Sequence, residues 1–217
     1  MIRVEEKPEP PGFHAAVRQP GLRAIAEMVG EVPVPPRTKG RRYKKIADRR
    51  DKIPAKRFPA LWTKALNDLM TAYNRICAYS CFRIHPVTGS RSVDHMAAKS
   101  RRWDQVYEWK NYRLASSLLN ARKREFGDVL DPFLIGDDWF ELELVGFQVK
   151  PAKHLSPAIR AQVRATIDRL GLDDFRTSRE RDAENYWNGV PFGVLMEESP
   201  FVARELRRQG RVRPEDR

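Results

Sequence analysis

An aspartate and a histidine stand side by side in the stretch RSVDHMAAKS, at residues 91–100. A neutral imidazole can accept a proton from water, and a carboxylate oxygen is a favoured ligand of hard cations such as Mg²⁺. Together they could activate water and hold the cation that stabilises charge on a phosphate. Asp94 is therefore a candidate metal ligand and His95 a candidate general base. The alternative is that both are ordinary surface or structural residues.

Two asparagines follow the Asp-His pair in an order that would complete such a site. Asn111 lies in EWKNYRLA and Asn120 lies in NARK, inside a helix predicted to begin near Leu114. Asparagine has a poor helix propensity, which favours a functional explanation for its presence at position 120 within a helix. The side-chain oxygen of Asn120 could bind the cation. Asn111 could simply cap the predicted helix.

The charge balance favours a polyanionic partner. Lys and Arg number 41 against 29 Asp and Glu, which gives a net charge of +12 over 217 residues. Nucleic acid is the simplest partner of this kind. Four cations near the site motifs are candidate phosphate contacts, with a solvated surface as the alternative: Lys99, Arg101, Arg102 and Lys123.

A basic arm at residues 37–57 holds eleven Lys/Arg and two Asp. A run this dense is typically solvated or disordered when alone. It either contacts nucleic acid or serves as a flexible linker or partner-docking segment. We predict that it ends an N-terminal extension, residues 1–58, that a central unit follows at 59–130, and that a hairpin and helices at 131–217 pack on that unit.

Strand signals are few and short. Val93, Asp94 and His95 end a predicted strand, and the segments WFELELV and FQVKPA predict a β-hairpin across Gly146. These strands, set among several helical patterns, predict an α+β fold that is mainly helical with a short β-hairpin.

Helical spacing of apolar residues recurs along the chain. Residues 61–76 form one such pattern, and a second helix from about Leu114 is predicted to turn Leu114, Leu118 and Phe126 towards the core. LSPAIRAQVRATIDRLGL predicts a helix that is capped by Ser156 and ends at Gly171.

Four short motifs occur in order between Cys77 and Lys123: CAYSC, SVDH, NYRL and NARK. In this order and spacing they resemble the HNH endonuclease family. The pattern of that family is a cysteine pair, an Asp-His pair, a loop ending in Asn-Leu-Arg-Leu, and a helix with Asn or His before a lysine. The resemblance covers about a quarter of the chain and implies a central ββα-metal motif, a β-hairpin and a helix that clasp a metal, within the α+β fold.

Residue by residue, the resemblance implies a one-metal nuclease site. Asp94 and Asn120 match the metal ligands, His95 matches the general base, Asn111 matches the asparagine that braces the loop and helps orient the base, and Lys123 matches a phosphate contact. The implied cofactor is one divalent cation, Mg²⁺ or Mn²⁺ first, with Ni²⁺ or Zn²⁺ as alternatives. The implied activity is hydrolysis of phosphodiester bonds in double-stranded DNA.

The chain departs from the family at the structural zinc that many members carry. Ser116 and Leu119 stand where a second cysteine pair would fall, so Cys77, Cys81 and His85 lack an obvious fourth ligand. We expect no structural zinc and predict that the cysteines are small buried apolar residues.

The extensions around the motifs, and Asp131 with Pro132 after them, are similar to HNH nuclease subunits of bacterial anti-phage systems such as the Septu type. That similarity implies an ATPase partner. One HNH site cuts one strand at a time, so cleavage of both strands implies a homodimer.

Two other functions remain open. The chain could be a nucleic-acid-binding module with a decayed site, or an interaction subunit whose arm docks an acidic protein; the intact Asp94, His95 and Asn120 favour the nuclease. The sequence shows no apolar run near the ~18–20 residues that span a bilayer, and no signal-peptide pattern. We therefore expect a cytoplasmic protein without membrane contact.

Overall fold

The computed structural model describes residues 1–216 as a mixed α+β fold with seven α-helices and two small antiparallel sheets. The α-helices are α1 (Gln19–Val29), α2 (Leu66–Ala72), α3 (Ser117–Lys123), α4 (Pro157–Leu170), α5 (Arg176–Trp187), α6 (Phe192–Glu198) and α7 (Pro200–Arg208). The strands are β1 (Arg91–His95), β2 (Tyr112–Ser116), β3 (Phe140–Leu142) and β4 (Val149–Pro151). The predicted α+β class is confirmed.

Strands β1 and β2 pair antiparallel, and α3 begins directly after β2 and packs on β1. The register sets Asp94 opposite Arg113 and His95 opposite Tyr112. The side chain of Ser116 caps α3 by accepting a hydrogen bond from the Leu119 backbone N–H at 3.4 Å. This β–β–α unit therefore brings α3 over the strand that carries the Asp-His pair.

The prediction of a helix from Leu114 was wrong at its start. Residues 112–116 form β2, where Leu114 is buried opposite Val93. Pairing with β1 and burial outweigh the local helical spacing of these residues. The helix α3 therefore begins only at Ser117, after its cap at Ser116. Leu118 in α3 and Phe126 beyond it are 50% and 40% exposed, so neither faces the core as predicted. Asn111 precedes β2 and caps no α-helix.

The helix predicted over residues 61–76 is shorter than its apolar pattern. A 3₁₀ turn (Leu61–Ala65) leads into α2, and the chain leaves the helical conformation at Asn74 and Arg75, whose φ values are +50° and +63°. The next residues form a tight loop closed by a bridge between Ile76 and Arg83. Both cysteines lie in this loop rather than on a helix.

The C-terminal predictions on the hairpin and on α4 are confirmed. Strands β3 and β4 pair antiparallel, with Leu142 opposite Val149. Ser156 caps α4, and Gly171 ends it with a left-handed φ of +59°, a conformation that glycine adopts without a steric penalty.

The basic arm lies along α1. The backbone N–H groups of Ile46 and Ala47 donate to the Met28 carbonyl oxygen at 2.8 and 3.2 Å. The Arg37 guanidinium donates two hydrogen bonds to the Glu27 carboxylate, at 2.8 and 3.0 Å. The arm is thus held against α1 at several points, while most of its other cations are exposed.

A continuous hydrophobic core joins the N-terminal, central and C-terminal parts of the chain. It includes Phe13, Leu69, Tyr112, Val163 and Phe201. None of the helices within residues 1–216 is both long and apolar enough to cross a membrane.

Candidate functional site

A cavity of about 350 Å³ opens between β1, the 3₁₀ turn before α2, and α3. Four of the predicted site residues line it: Asp94, His95, Lys99 and Asn120. The other predicted residues lie behind or beside this cavity. The β–β–α unit therefore brings together the acid, the imidazole and one of the two amides that the sequence singled out.

Asp94 is almost fully buried, and each of its carboxylate oxygens accepts one hydrogen bond. The Tyr79 hydroxyl donates to Oδ2 at 2.5 Å and the Lys123 ammonium donates to Oδ1 at 3.1 Å. Burial raises the pKa of Asp94 above its ordinary value, while Lys123 and Tyr79 act in the opposite direction. A carboxylate oxygen has lone pairs left after one such bond, so both oxygens could still bind a cation.

Lys123 is buried and does not reach a surface where a phosphate could bind. Its ammonium donates to Asp94 and to the carbonyl oxygens of His95 and Met96, at 3.1, 3.0 and 3.4 Å. All three protons of the ammonium therefore have acceptors inside the protein. The prediction of a direct phosphate contact is not supported by this position; Lys123 ties α3 to the end of β1.

His95 is fixed in one orientation by its ring contacts. Its Nε2 lies 3.0 Å from the Val106 carbonyl oxygen, and a carbonyl can only accept, so Nε2 carries the proton. The ring packs edge-on against Trp62 and Tyr112, with centroids 4.9 and 5.1 Å away. Nδ1 has no hydrogen-bond partner within residues 1–216 and is the nitrogen left to accept a proton.

Burial lowers the pKa of His95 to about 3, and the nearby Lys99 ammonium acts in the same direction. The imidazole is therefore neutral at ordinary pH, which is the form that a general base needs before reaction. A negatively charged ligand bound in the cavity would favour the protonated ring and so raise the basicity of His95.

Asn111 is a buried brace rather than a cavity residue. Its Oδ1 accepts a hydrogen bond from the Ala97 N–H at 2.7 Å, and its Nδ2 donates to the carbonyl oxygens of Ala97 and Gln105, at 3.1 and 3.0 Å. These bonds close the loop between β1 and β2. Because Val106 belongs to that loop, Asn111 acts on His95 through the loop backbone and not by contact with a substrate.

Asn120 projects from α3 towards β1. Its Nδ2 donates to the Ser92 hydroxyl at 2.5 Å and to the Val93 carbonyl oxygen at 3.3 Å. These two bonds use the donor side of the amide, and Oδ1 accepts no hydrogen bond within residues 1–216. The free oxygen lies on a residue that lines the same cavity as Asp94.

The three remaining predicted cations differ in their surroundings. The Lys99 ammonium lies 4.1 Å from the centre of the Trp62 ring, and burial lowers its pKa. Arg102 is held by Asp104 through two hydrogen bonds of 2.9 and 2.6 Å. Arg101 is exposed and has no carboxylate within 4.0 Å among residues 1–216. Of the three, Lys99 alone lines the cavity.

The predicted zinc candidates do not converge. Cys77 and Cys81 are buried free thiols, and each sulfur accepts a backbone hydrogen bond, from Ser116 and Ile2 respectively. His85 is exposed, and its Nδ1 accepts hydrogen bonds from the following turn. No group of three or more His, Cys, Asp or Glu side chains in residues 1–216 is placed to hold a metal.

The oxygens of Asp94 and Asn120 nevertheless suit one hard, largely hydrated cation. Mg²⁺ is typically held in proteins by one or two carboxylates, keeps several waters, and takes its other ligands from phosphate. Asp94 supplies a carboxylate and Asn120 a free amide oxygen on the same cavity, which meets that requirement, and a second carboxylate, that of Glu125, lines the cavity as well. A structural thiolate site would need ligands that this cavity does not contain.

The sequence reasoning missed Tyr79 and several residues of the cavity lining. Tyr79 was passed over between the two cysteines of CAYSC, although a buried tyrosine hydroxyl needs a partner. The lining residues that were missed include Trp62, Arg91, Arg124 and Glu125. Arg91 belongs to the same strand as the Asp-His pair, and the alternation of side chains along a strand places it on the face of His95. No local pattern links Tyr79, Trp62 or Arg124 to the pair, because those contacts are made only by folding.

Neither the models of known protein families nor the curated proteins contain a match to this chain. Function is therefore inferred from the geometry of the site and from the order of its motifs.

Proposed function

We propose that the protein is a metal-dependent endonuclease of the HNH type that hydrolyses phosphodiester bonds in DNA. One observation carries the proposal: Asp94, His95 and Asn120 line a single cavity, held there by a β–β–α unit in the order that the motifs require. The positive charge of the chain supports a polyanionic substrate.

His95 is the proposed general base. With Nε2–H donated to the Val106 carbonyl oxygen, the neutral ring can receive a proton only at Nδ1. A water molecule between Nδ1 and the phosphorus would lose its proton to the ring as its oxygen attacks. The edge-on contacts with Trp62 and Tyr112 keep the ring from turning away from that water.

Asp94 and Asn120 are the proposed cation ligands, each through a side-chain oxygen. A divalent cation bound there would stabilise the negative charge that develops on the phosphate and on the leaving oxygen. Lys99, Arg91 and Arg124 line the cavity and would balance the charge of the bound phosphate.

Tyr79 and Lys123 are the proposed positioning residues for Asp94. Each donates to a different carboxylate oxygen, so the plane of the carboxylate is fixed. The Lys123 ammonium also offsets the burial of the negative charge.

A plasmid-nicking assay tests the proposal. The chain is incubated with supercoiled plasmid in Mg²⁺, Mn²⁺ or Ni²⁺, with and without excess EDTA, and compared with Asn120→Ala. Asn185→Ala is the matched control, since Asn185 is an exposed residue of α5. We expect nicking that EDTA abolishes, that Asn185→Ala leaves intact, and that Asn120→Ala reduces by about tenfold or more.

Two outcomes would overturn the proposal. One is the absence of nicking by the folded wild-type chain in every metal. The other is nicking by Asn120→Ala at the wild-type rate over the whole range of metal concentration.

A further inference from the structure

A second cavity, of about 880 Å³, adjoins the one that holds the Asp-His pair. Arg91, at the start of β1, lines both cavities. Helix α2 continues the wall, because Leu66 lines the first cavity and Asn67, Met70 and Thr71 line the second. A linear polymer bound at the first cavity could therefore continue into the second cavity past the side chain of Arg91.

The second cavity carries unbalanced positive charge. Three arginines line it, and one of them, Arg83, is paired with Glu197 and Glu198 at 3.1 and 2.8 Å. The other two are Arg75 and Arg91, both exposed, and neither has a carboxylate within 4.0 Å or a side-chain hydrogen bond among residues 1–216. Two guanidinium groups therefore remain free to bind anions in the groove.

Arg75 is held in a backbone conformation that arginine disfavours. Its φ is +63°, in the left-handed region that glycine and asparagine tolerate best. Backbone hydrogen bonds fix the residue there: its N–H donates to Met70 O at 2.8 Å, and its carbonyl accepts from Ile84 N–H at 2.7 Å. Asparagine would adopt this backbone conformation with less strain, so the conformation does not explain why an arginine stands here. Anion binding by the guanidinium group would explain it.

We propose that the second cavity binds the DNA strand where it continues from the phosphate at the Asp-His pair, with Arg91 and Arg75 contacting successive stretches of its backbone. This inference rests on the proposed function for the identity of the first site, and it extends that site along α2. The contacts are to phosphates, so they add affinity without reading sequence.

The test measures binding separately from cleavage. Fluorescence anisotropy of a labelled DNA duplex is recorded in EDTA over a range of salt concentrations, for the wild type, Arg75→Asn and a control, Arg176→Asn. Asparagine accepts the left-handed backbone at position 75, so folding is preserved there. Arg176 is exposed, lines neither cavity and has no carboxylate within 4.0 Å among residues 1–216.

One phosphate contact contributes about 0.9 to the slope of log affinity against log salt. Loss of that contact should make the slope of Arg75→Asn shallower than the wild-type slope by about 0.9. If the two affinities are taken as equal at 1 M salt, this difference makes Arg75→Asn bind DNA roughly eightfold more weakly than the wild type at 0.1 M salt. Arg176→Asn should match the wild type in slope.

Equal slopes for Arg75→Asn and the wild type would overturn the groove proposal, whether or not the protein cleaves DNA. So would the absence of DNA binding by the wild-type chain. A failure of cleavage with the predicted change in slope would instead count against the proposed hydrolysis and leave the groove standing.

Discussion

Replacing Lys123 by methionine removes the cation on which the buried Asp94 carboxylate depends. Methionine has a similar length and flexibility, so the space in the core stays filled. The change leaves one carboxylate oxygen and two carbonyl oxygens, those of His95 and Met96, without the ammonium that they share. The expected result is a large loss of stability rather than a change of fold.

The structure sets the size of that loss. At 3.1 Å the attraction between Lys123 and Asp94 is about 5 kcal/mol for an effective dielectric constant of about 20. Removal of one partner of a buried pair typically costs about 3 to 5 kcal/mol. We therefore expect Lys123→Met to lower the free energy of unfolding by about 3 to 5 kcal/mol, a large share of the roughly 5–15 kcal/mol of an ordinary domain.

Urea unfolding at neutral pH, followed by circular dichroism, measures this loss as a shift of the midpoint. Lys110→Met is the control, because Lys110 is exposed and the substitution removes the same charge. Its free energy of unfolding should stay within about 0.5 kcal/mol of the wild-type value. Asp94→Asn combined with Lys123→Met should recover part of the loss, because the uncompensated charge is then gone.

A loss of unfolding free energy below about 1 kcal/mol for Lys123→Met would refute this reasoning, because even an exposed ion pair can contribute up to about 1 kcal/mol to stability. Equal losses for Lys123→Met and Lys110→Met would refute it as well. Lys123 would then be a solvated surface cation, the alternative to a phosphate contact that the sequence left open.

Three further outcomes follow from other contacts. Asn111→Ala should slow single-turnover DNA cleavage by about 10²-fold while metal affinity stays unchanged, because the loop that orients His95 loosens. Arg113→Met should lower the free energy of unfolding in urea by about 2 to 3 kcal/mol, because Asp131 loses two hydrogen bonds of 2.7 and 2.6 Å. Ellman's reagent should leave both thiols of the native chain unmodified and label two after unfolding, since both are buried and burial raises the pKa of the Cys81 thiol; rapid labelling of the native chain would contradict this.

Features that depend on neighbouring residues were predictable from the sequence. Helix α4 begins and ends where Ser156 and Gly171 indicate, because a cap and a left-handed stop act within one turn of the helix. The hairpin of β3 and β4 was predictable for the same reason. The placement of Asp94, His95 and Asn120 around one site was predicted from the resemblance of the motif order to a known family, not from neighbouring residues.

Features that depend on pairing between distant segments were not predictable. Leu114 has helical spacing but lies in β2, because β1 pairs with that segment and its side chains are buried. Lys123 looked like one cation among many, and its role depends on the ends of β1 and α3 meeting. Tyr79 had no signal at all, since its partner Asp94 lies 15 residues away.

Single-turnover cleavage by a His95→Ala variant tests the central claim most directly. The substrate is an end-labelled DNA duplex in Mn²⁺ or Mg²⁺, and DNA binding and circular dichroism are measured in parallel. His14→Ala is the control, because His14 is exposed and lies outside the cavity. We expect His95→Ala to bind DNA and fold as the wild type does, yet to cleave about 10²- to 10⁴-fold more slowly, the usual contribution of a general base. Cleavage by His95→Ala at the rate of His14→Ala would contradict the assignment of His95 and, with it, the proposed site.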